Sequence, residues 1–508
     1  MEKRLILAIG LSILIILSWS ALAPKTQPID NKAVISKGAP VFAPAAKESP
    51  LTPALTLPIS SSARFTFSDA RQEVVFVEPQ GAVQEVKFKG YQNYKFPLQY
   101  AFLCGAEDLA FAKTSASEAK VVFAAADKEK RIKKEFIFSN SNYTIELNVT
   151  IQNVSGTPLK ADLPLLLGAL NFDGKQSQVF QDVVMDSGGK ILRFNGRKDM
   201  VVGEAKFIGI RDRYFCAIIE PSTKDYKYSA FIRKVNPTSS QVGLQTQDLM
   251  LMPGQSSEQK FRIYLGPQDL QIISRVEPEW TAVVNFGTFD LISQFLLRVL
   301  DILYRLVRNW GGAVVLLSIL IYLLLFPLST KQMRSMKEMQ ALQPHIEELR
   351  RKYKDNPQRM NKETMELYRE HKVNPFGGCL PLLLQLPIFF ALYQAIMRSI
   401  ALKGAHFLWI KDLSEPDRLF LLPVSLPLLG NELNILPILM AIGMFIQQKI
   451  SLRAATPASA EQQKMMLIMM PVLFGIIFYH MPAALVLYWF VNSTLTLLYQ
   501  LRISRQAK

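Results

Sequence analysis

Two kinds of hydrophobic pattern divide the chain, namely long uncharged runs and short alternating ones. One uncharged run, from Leu5 to Ala23, lies near the N-terminus. Five further apolar segments follow in the second half of the chain, at about 311–330, 376–397, 433–449, 465–480 and 483–501. A helix of about 20 apolar residues crosses the hydrocarbon core of a membrane. The pattern therefore predicts a multi-pass α-helical membrane protein with six spans, five of them grouped as a core in the C-terminal half.

The N-terminal run has two interpretations. It ends in Ala-Leu-Ala, which suits cleavage by a signal peptidase. However, it is longer than a usual signal core, and Pro24 would directly follow the cut. We favour an uncleaved membrane anchor over 1–24, with Lys3 and Arg4 holding the N-terminus inside. The next residues, 25–60, are rich in Pro, Ala and Ser and predict an extended linker.

Alternation of apolar and polar residues begins after the linker and continues to about residue 280. The stretch "RQEVVFVEPQGAVQEVKFKGY" predicts two strands around Pro79-Gln80-Gly81. In "SNYTIELNVTIQNVSGTP", alternate residues from Tyr143 to Ile151 share one face. Many short strands without helical periodicity predict a large all-β sandwich over 61–280. This segment contains no histidine and no convincing catalytic constellation, which argues against an enzyme there.

Residues 289–310 have the pattern of an amphipathic helix. Charged side chains recur at three- and four-residue spacing among its apolar residues, at Arg298, Asp301, Arg305 and Arg308. The segment is too charged to cross lipid. We favour a helix that lies on the membrane surface, with Trp310 at the interface where the next span begins. The alternative is a helix packed on the β domain.

The charges of the loops set the orientation of the predicted spans. Residues 331–372 contain eleven Lys or Arg residues, whereas 399–432 contain three. Because cytoplasmic loops carry the excess of basic residues, the first loop is predicted to be cytosolic and the second external. Both termini are then cytosolic, and the β domain is exported. Helix formers on both sides of Asn356-Pro357 predict a cytosolic helical hairpin over 331–372.

The overall charge and the cysteines add little chemistry. A formal charge of +16 can indicate nucleic acid binding, but here the cytosolic loops account for the excess, so no specific DNA partner is predicted. The three cysteines, Cys104, Cys216 and Cys379, lack the spacing of a zinc or thiol-redox site. Cys104 and Cys216 share the exported domain and could pair, although the sequence does not decide it.

Uncharged polar side chains are the main chemistry of the core spans. Lys449, at the end of one segment, is the only Asp, Glu, Lys or Arg among the five. Ion-coupled pumps and transporters need ionisable groups at depth, so a small-molecule transporter is disfavoured. Single polar side chains commonly join helices by hydrogen bonds. Ser318 and Tyr322, however, lie four residues apart on one helix face, and a shared face can line a groove.

The second half of the chain resembles the YidC/Oxa/Alb family of membrane protein insertases. The resemblance is strongest at "HKVNPFGGCLPLLLQLPIFFALY", residues 371–393, and it extends to "FLWIKDLSEPD" and "PAALVLYWFVNS". It covers essentially all of 285–505 in family order and spacing. The anchor, linker and β domain agree with the Gram-negative form in layout. Five residues carry the family signature: Asn374, Pro375, Gly377, Gly378 and Pro381.

The resemblance implies a non-enzymatic insertase that needs no cofactor and no metal. Its five-helix core, within 281–508, would enclose a hydrophilic groove that receives a nascent transmembrane segment and releases it sideways. The membrane would be the bacterial inner membrane. The implied partners are nascent membrane proteins, the ribosome, the Sec translocon and membrane lipids.

The resemblance also assigns individual site residues. Ser318 falls where the family has a client-contacting hydroxyl residue, and Phe389 and Met440 match client-contacting positions on the next two core spans. Trp489 replaces an aromatic residue that is usually tyrosine. Tyr322 aligns with the family's groove arginine, so this chain lacks that cation there. Three more polar residues are candidates to line the groove: Gln385, Tyr488 and Asn492.

Two functional hypotheses follow. The chain is either an insertase that works alone as well as with the Sec translocon, or mainly a Sec-associated folding and assembly chaperone with the exported domain as its docking surface. Continued insertion by a 285–508 core would favour the first hypothesis. Loss of insertion on deletion of the β domain alone would favour the second.

Overall fold

The structure is a computed structural model that describes residues 63–105, 109–139, 142–172, 180–287, 289–354, 356–371, 373, 380–426, 429–452 and 460–506. The predicted anchor at 1–24 and linker at 25–60 lie outside the described residues. The same holds for four signature residues: Asn374, Pro375, Gly377 and Gly378. Pro381 is described in its backbone only. The chain divides into two compact units between Asn285 and Phe286.

Strands dominate the first unit. They are β1 (Arg64–Ser68), β2 (Gln72–Val77), β3 (Ala82–Phe88), β4 (Tyr94–Ala101), β5 (Ala112–Ala116), β6 (Lys120–Ala126), β7 (Lys130–Phe138), β8 (Thr144–Asn153), β9 (Leu159–Lys160), β10 (Pro164–Asn171), β11 (Asp182–Ser187), β12 (Lys190–Phe194), β13 (Met200–Val202), β14 (Ala205–Arg211), β15 (Phe215–Pro221), β16 (Tyr228–Asn236), β17 (Ser239–Thr246), β18 (Met250–Leu251) and β19 (Ser256–Pro267). One short helix, α1 (Leu270–Val276), follows them.

Three antiparallel sheets hold most of these strands. One four-stranded sheet has the order β1-β2-β3-β4, and another has the order β10-β17-β16-β13. The largest sheet has nine strands in the order β12-β11-β14-β15-β19-β8-β7-β6-β5. The buried side chains of the unit are mostly aliphatic and aromatic. The predicted β-sandwich is therefore confirmed as a fold, while its bounds of 61–280 stay a prediction.

The β2–β3 pair and strand β8 show why the sequence pattern was informative here. β2 and β3 are antiparallel neighbours, joined by a 3₁₀ turn that ends at Gly81 with a φ of +50°. Glycine adopts this left-handed conformation without the steric cost of a side chain. In β8, Ile145, Leu147, Val149 and Ile151 are all buried. Because strand side chains alternate between faces, this spacing directs one apolar face into the core.

The two cysteines of this unit are free thiols. Both Cys104 and Cys216 are buried, and neither is oxidised. Cys216 lies within β15, whereas the backbone of Cys104 forms an isolated bridge with Leu165. Burial raises the pKa of both thiols, which keeps them protonated and unreactive. The disulfide that the sequence left open is not formed.

Lys134 is an ammonium buried in the core of this unit. Its side chain is fully buried in β7, where Nζ donates to the carbonyl oxygens of Gln80 at 2.8 Å and Phe102 at 3.2 Å. Nζ also lies 4.0 Å from the centroid of the Phe111 ring. Burial lowers the pKa of Lys134 from 10.5 to about 8. The lysine thus joins loops of the first sheet to the nine-stranded sheet, and none of the residues that the structure describes gives it a carboxylate partner.

The lowered pKa predicts a stability change at alkaline pH. Below about pH 8 Lys134 is protonated in both states; between about 8 and 10.5 the folded chain releases the proton while the unfolded chain retains it. The unfolded state then binds more protons, so this group raises stability as the pH rises, by at most about 3 kcal/mol. We expect the unfolding free energy of the wild type to increase relative to Lys134→Met over this window, measured by urea unfolding with thiol labelling of Cys216.

Lys133→Met is the matched control, because Lys133 is the exposed neighbour on the same strand. The unfolding free energy of Lys133→Met should differ from that of the wild type by the same amount at every pH in the window. If the difference in unfolding free energy between the wild type and Lys134→Met does not change with pH, the expected burial of a charge at this position is contradicted.

The described part of the second unit is mainly helical. Its helices are α2 (Asp290–Val307), α3 (Trp310–Ala341), α4 (Gln343–Lys352), α5 (Pro357–Glu370), α6 (Leu380–Arg398), α7 (Ile435–Leu452), α8 (Ala460–Phe478) and α9 (Ala483–Gln506). Strands β20 (Phe420–Leu426) and β21 (Gly430–Leu433) form an antiparallel hairpin between α6 and α7. Two stretches in the described residues are long and apolar enough to cross a membrane, Trp310–Ser335 and Ala483–Arg502. Shorter apolar helices cover Ile435–Ile450 and Leu467–Phe478, so the count of six spans stays a prediction.

Helix α2 has one buried side and one exposed apolar side. Leu296 and Leu300 are buried, and Ser293 Oγ donates to the carbonyl oxygen of Ala391 in α6 at 2.8 Å. Six large apolar side chains remain exposed: Leu291, Ile292, Phe295, Ile302, Leu306 and Val307. An exposed apolar stripe beside charged residues is typical of a helix at a membrane surface.

The predicted cytosolic hairpin contains a break that the sequence analysis did not place. α3 continues from the apolar stretch to Ala341, and α4 begins after Leu342 with Pro344 in its first turn. Proline lacks the N–H that would continue the hydrogen-bond ladder of α3, so the helix ends there. The turn between α4 and α5 lies where Asn356-Pro357 predicts it, and the Asn356 side chain accepts a hydrogen bond from Arg359 N at 3.1 Å.

Candidate functional site

The sequence-predicted site residues lie on helices that pack around α9. α9 contacts α3, α6 and α7, and α8 packs against α7. One cluster of buried apolar side chains extends through these helices. α9 also carries several polar side chains within its apolar length, among them Tyr488, Asn492 and Thr494. The candidate site is therefore the set of contacts that α9 makes with its neighbours.

Ser318 of α3 is enclosed within this cluster. It is fully buried, and its Oγ donates to the carbonyl oxygen of Val314, one turn earlier in the same helix, at 2.7 Å. Serine in apolar helices often bonds to its own backbone in this way. In this conformation Ser318 does not present its hydroxyl to a surface, so contact with a client would require neighbouring helices to separate.

Tyr322 lies one turn further along α3 and remains partly exposed. Its hydroxyl donates to the carbonyl oxygen of Leu495 in α9 over a long 3.4 Å. The Tyr322 ring also lies 6.0 Å from Phe326, which makes an edge contact with Tyr499 of α9 at 4.9 Å. Hydrogen bonds of this length are weak. The phenol is therefore the more available of the two polar groups on this face.

Gln385 and Tyr488 join α6 to α9. The Gln385 Nε2 donates to the hydroxyl oxygen of Tyr488, which is fully buried. One turn along α6, the Phe389 ring lies 5.4 Å from Trp489 in an edge-to-face arrangement. The contact between α6 and α9 thus combines one polar and one aromatic pair. Tyr488 does not face an open surface in this conformation.

An aromatic cluster extends from this contact to α8. Phe389 lies 5.6 Å from Phe478, and Phe474 lies 5.7 Å from Trp489. Aromatic pairs at these separations are favourable beyond simple burial. Met440 of α7 is fully buried in the same apolar cluster. Phe389 and Trp489, which the sequence predicted, are thus brought together, while Phe474 and Phe478 were missed although their four-residue spacing places them on one helix face.

Several polar side chains of α9 bond to their own helix. Asn492 Nδ2 donates to the carbonyl oxygen of Tyr488 at 3.0 Å, and Thr494 and Thr496 make equivalent bonds to Phe490 and Asn492 at 2.8 Å. Each of these groups makes one hydrogen bond within its own helix. That bond lowers the cost of placing the group at an apolar contact, and the group can exchange it for another partner.

Two amide oxygens nearby lack a partner. The Oε1 atoms of Gln448 in α7 and Gln500 in α9 are buried without a hydrogen bond in the described residues. Each lies in the last turns of its helix, towards the end that the sequence analysis predicts to be cytosolic. An unpaired buried acceptor is costly and indicates a position for water or a polar ligand. Sequence analysis missed both residues, although glutamine in an apolar segment is the signal that could have identified them.

The opposite ends of α7 and α9 are closed by a hydrogen-bonded loop. Asp417 is buried, and its Oδ2 accepts from Trp409 Nε1 at 3.1 Å, Ile435 N at 2.9 Å and Leu436 N at 3.0 Å. A carboxylate at these first amides of α7 acts as a helix cap. The start of α9 is held similarly, since Ala483 N donates to the carbonyl oxygen of Glu415 at 2.7 Å.

Further bonds fasten this loop to α8. Asn434 is fully buried, and its Nδ2 donates to the carbonyl oxygen of Tyr479 at 2.8 Å, while the Tyr479 hydroxyl donates to Glu432 O at 2.7 Å. Lys403 lies 3.3 Å from Asp412. Burial opposes ionisation of Asp412, but hydrogen bonds from Ser414 and the charge of Lys403 outweigh it and lower the pKa of the carboxyl. The loop is thus a preformed cap over one end of the helices.

Known families and curated proteins match nearly the whole chain. The family described as "60Kd inner membrane protein" matches residues 302–508, and the family described as "YidC periplasmic domain" matches residues 105–299. The chain is 32% identical to "Membrane protein insertase YidC" of Pelobacter propionicus, over 99% of both chains. It is 30% identical to the protein of the same name from Syntrophus aciditrophicus, over 100% of both chains.

Two solved structures match parts of the chain at low sequence identity. A crystal structure of an active YidC insertase, with its first transmembrane domain resolved, is 20% identical and covers 87% of this chain and 93% of its own, with a TM-score of 0.42. A galactose mutarotase-like protein from Lactobacillus casei covers 40% of this chain at 11% identity, with a TM-score of 0.31.

Proposed function

The chain belongs to the YidC family of membrane protein insertases, and from that premise we propose how its own residues handle a client. As a family member it is a membrane insertase and not an enzyme. The proposed client is a nascent transmembrane segment. It enters from the cytosolic side, contacts α9 and its neighbours α3 and α6, and leaves sideways into the lipid of the inner membrane.

The proposed topology has six spans, with both termini in the cytosol and the β-sandwich in the periplasm. Five spans would form the core: α3 and α6 to α9. The basic residues of 331–372 support this orientation, because retained loops carry the positive charge. The exposed apolar stripe of α2 supports a position on the periplasmic membrane surface, directly before α3.

The proposed insertion path begins at the cytosolic ends of α7 and α9. The unpaired oxygens of Gln448 and Gln500 support a hydrated entry there, because water or a client backbone N–H would satisfy them. A polar pocket within the inner leaflet shortens the hydrocarbon path of a client's polar flank. No nucleotide is needed for this step, since the client itself gains by moving from a polar pocket into lipid.

The polar groups near the middle of the membrane would then hold the client only loosely. The observation that carries the proposal is that Ser318 and Asn492 bond within their own helices while Tyr322 makes only a weak contact. A client can therefore displace the Tyr322 bond at little cost, whereas the Ser318 hydroxyl becomes available only when neighbouring helices separate. Loose contacts of this kind avoid trapping an apolar segment that must leave for the lipid.

The proposed partners follow the orientation of the chain. The ribosome would deliver clients at the basic cytosolic hairpin, and membrane lipids would receive them. The Sec translocon would supply larger clients, with the β-sandwich available on the periplasmic side. Activity of the core without the β-sandwich would separate autonomous insertion from a mainly Sec-associated role.

Tyr322→Phe is expected to slow insertion of some clients while leaving folding intact. The substitution removes the Tyr322 hydroxyl, which donates a long hydrogen bond to Leu495 O in α9. Polar contacts between membrane helices are worth about 0.6 kcal/mol on average, so the expected loss is about threefold. Insertion of single-span clients into proteoliposomes, measured by protease protection, gives the rate.

Tyr304→Phe is the matched control. The Tyr304 ring of α2 stacks on Trp310 of α3 at 4.0 Å between ring centroids, and no hydrogen bond of its hydroxyl is seen in the described residues. The variant should therefore insert clients at the wild-type rate. Wild-type rates for Tyr322→Phe with every client would remove the proposed role of this phenol.

A further inference from the structure

Three large apolar side chains are exposed on the loop between α6 and α7. The exposed fractions are 76% for Leu408, 61% for Phe420 and 71% for Leu421. The same loop is otherwise well bonded, since it caps α7 through Asp417 and fixes α9 through Glu415. Apolar side chains held outward by an ordered segment indicate a surface that meets an apolar partner.

Leu408 occupies a backbone conformation that leucine rarely adopts. Its φ is +51°, in the left-handed region where glycine, asparagine and aspartate are usual. Two backbone hydrogen bonds fix this turn, from Phe407 N to Ile410 O at 3.0 Å and from Ile410 N to Phe407 O at 2.8 Å. Strained residues persist where the surroundings require them and often have a function. Here the strain places an apolar side chain at the tip of a rigid turn.

The turn at 407–410 lies against the beginning of α3. Phe407 packs so closely on Gly311 that a Cβ atom added there would overlap its ring. Asn309, which caps α3, also donates from Nδ2 to the carbonyl oxygen of His406 at 3.3 Å. Gly311 is the second residue of an apolar helix that begins at Trp310, and tryptophan is typical of the membrane boundary. Leu408 is therefore held at the level of that boundary.

Phe420 and Leu421 lie beside a second span at the same side. They begin β20, where Phe420 is opposite Leu433 and Leu421 is opposite Glu432. α7 begins at Ile435, two residues after Leu433. Both side chains are thus within a few residues of the helix end. The three exposed apolar residues accordingly adjoin the ends of α3 and α7 rather than the tip of a loop extending into water.

We propose that Leu408, Phe420 and Leu421 insert into the lipid leaflet on this side of the membrane, at the boundary of headgroups and acyl chains. The partner is lipid because the residues continue the apolar surface of the spanning helices. The loop's charges do not form an open charged surface, since Lys403 pairs with Asp412 and Arg418 with Glu432 at 2.8 Å. Under the proposed topology this is the periplasmic leaflet.

The inserted side chains would fix the depth of the loop between α6 and α7 in the membrane. The same loop holds α7 through Asp417, α9 through Glu415 and α3 through Phe407. Anchoring it in lipid keeps these three helix ends at one level while their cytosolic ends admit a client. This inference stands apart from the insertion path, since the loop could be anchored whether or not Tyr322 contacts clients.

Fluorescence quenching in proteoliposomes tests the proposal. The full chain, with its three cysteines replaced by alanine, carries one NBD label at Leu408→Cys, and the control carries it at Lys411→Cys, an exposed position of the same loop. Labels at Phe420→Cys and Leu421→Cys provide independent probes. The vesicles contain phosphatidylethanolamine and phosphatidylglycerol with a nitroxide near the headgroup or at the chain end, and iodide serves as the aqueous quencher.

We expect emission at 408, 420 and 421 to be blue-shifted, quenched most by the shallow nitroxide and protected from iodide. The label at 411 should emit at longer wavelength, escape quenching by the nitroxides and be quenched by iodide. Iodide quenching at 408 equal to that at 411, without quenching by lipid, would overturn the proposal. Protection that disappears when the protein is diluted within the vesicles would identify a second copy as the partner and would also overturn it.

Discussion

Asp417→Ala is expected to destabilise the helical unit by about 3 to 5 kcal/mol, the largest effect that we predict for a single substitution. The carboxylate is buried and accepts three hydrogen bonds, one from the Trp409 indole and two from the first amides of α7. Alanine leaves these donors buried without a partner. The temperature of unfolding in detergent, followed by size-exclusion chromatography after heating, should fall accordingly.

Asp417→Asn separates the hydrogen bonds from the charge. Its amide oxygen can still accept from the indole and the two backbone amides, so the loss of stability should be clearly smaller than for alanine. Equal losses for both variants would mean that the charge at the helix N-terminus, and not the three hydrogen bonds, stabilises this end. Wild-type stability of Asp417→Ala would contradict the described cap.

Gly311→Ala is expected to destabilise the same region by about 1 to 3 kcal/mol, as is usual for overpacking. An added Cβ would overlap the base of the Phe407 side chain. A rotation of the ring cannot relieve this overlap, because it involves Cβ and Cγ, and the backbone of Phe407 is fixed by its bonds to Ile410. Thermal unfolding in detergent measures the loss.

Gly312→Ala is the matched control for this prediction. A Cβ atom at Gly312 would find its nearest neighbour, Val307 Cγ2, at an ordinary 3.5 Å. Alanine is also the better helix former, so this variant should be as stable as the wild type or more stable by up to about 1 kcal/mol. Equal behaviour of the two variants would show that the turn at 407–410 does not pack on α3 as described.

The sequence predicted local structure well where one pattern determines it. The β2–β3 hairpin and the buried face of β8 follow from alternation, which a sheet with one buried face enforces. The break after Ala341 was missed because the surrounding residues favour a helix and only Pro344 interrupts the ladder. Lys134 was missed as a buried residue because a lysine within a basic strand is usually solvated, and only the fold brings Gln80 O and Phe102 O to it.

The positions of the candidate site residues stay predictions, whereas their contacts could not be read from the sequence. Family resemblance placed Phe389 and Trp489, and the structure brings their rings together. It could not show that Ser318 is bonded to its own helix, nor that Gln385 reaches Tyr488, because these depend on rotamers and helix packing. The Asp417 cap joins residues that are 18 positions apart along the chain, and no local spacing indicates it.

Site-specific photocrosslinking from position 322 tests the central claim most directly. A photoreactive residue there meets a stalled ribosome-bound nascent chain that carries one transmembrane segment, with positions 389 and 440 as positive controls and the exposed Leu324 as a lipid-facing control. The account predicts a crosslink at 322 that appears at a defined nascent length and disappears as the chain grows. Crosslinks at 389 and 440 with none at 322 at any length would contradict it, because Tyr322 would then only pack α3 against α9.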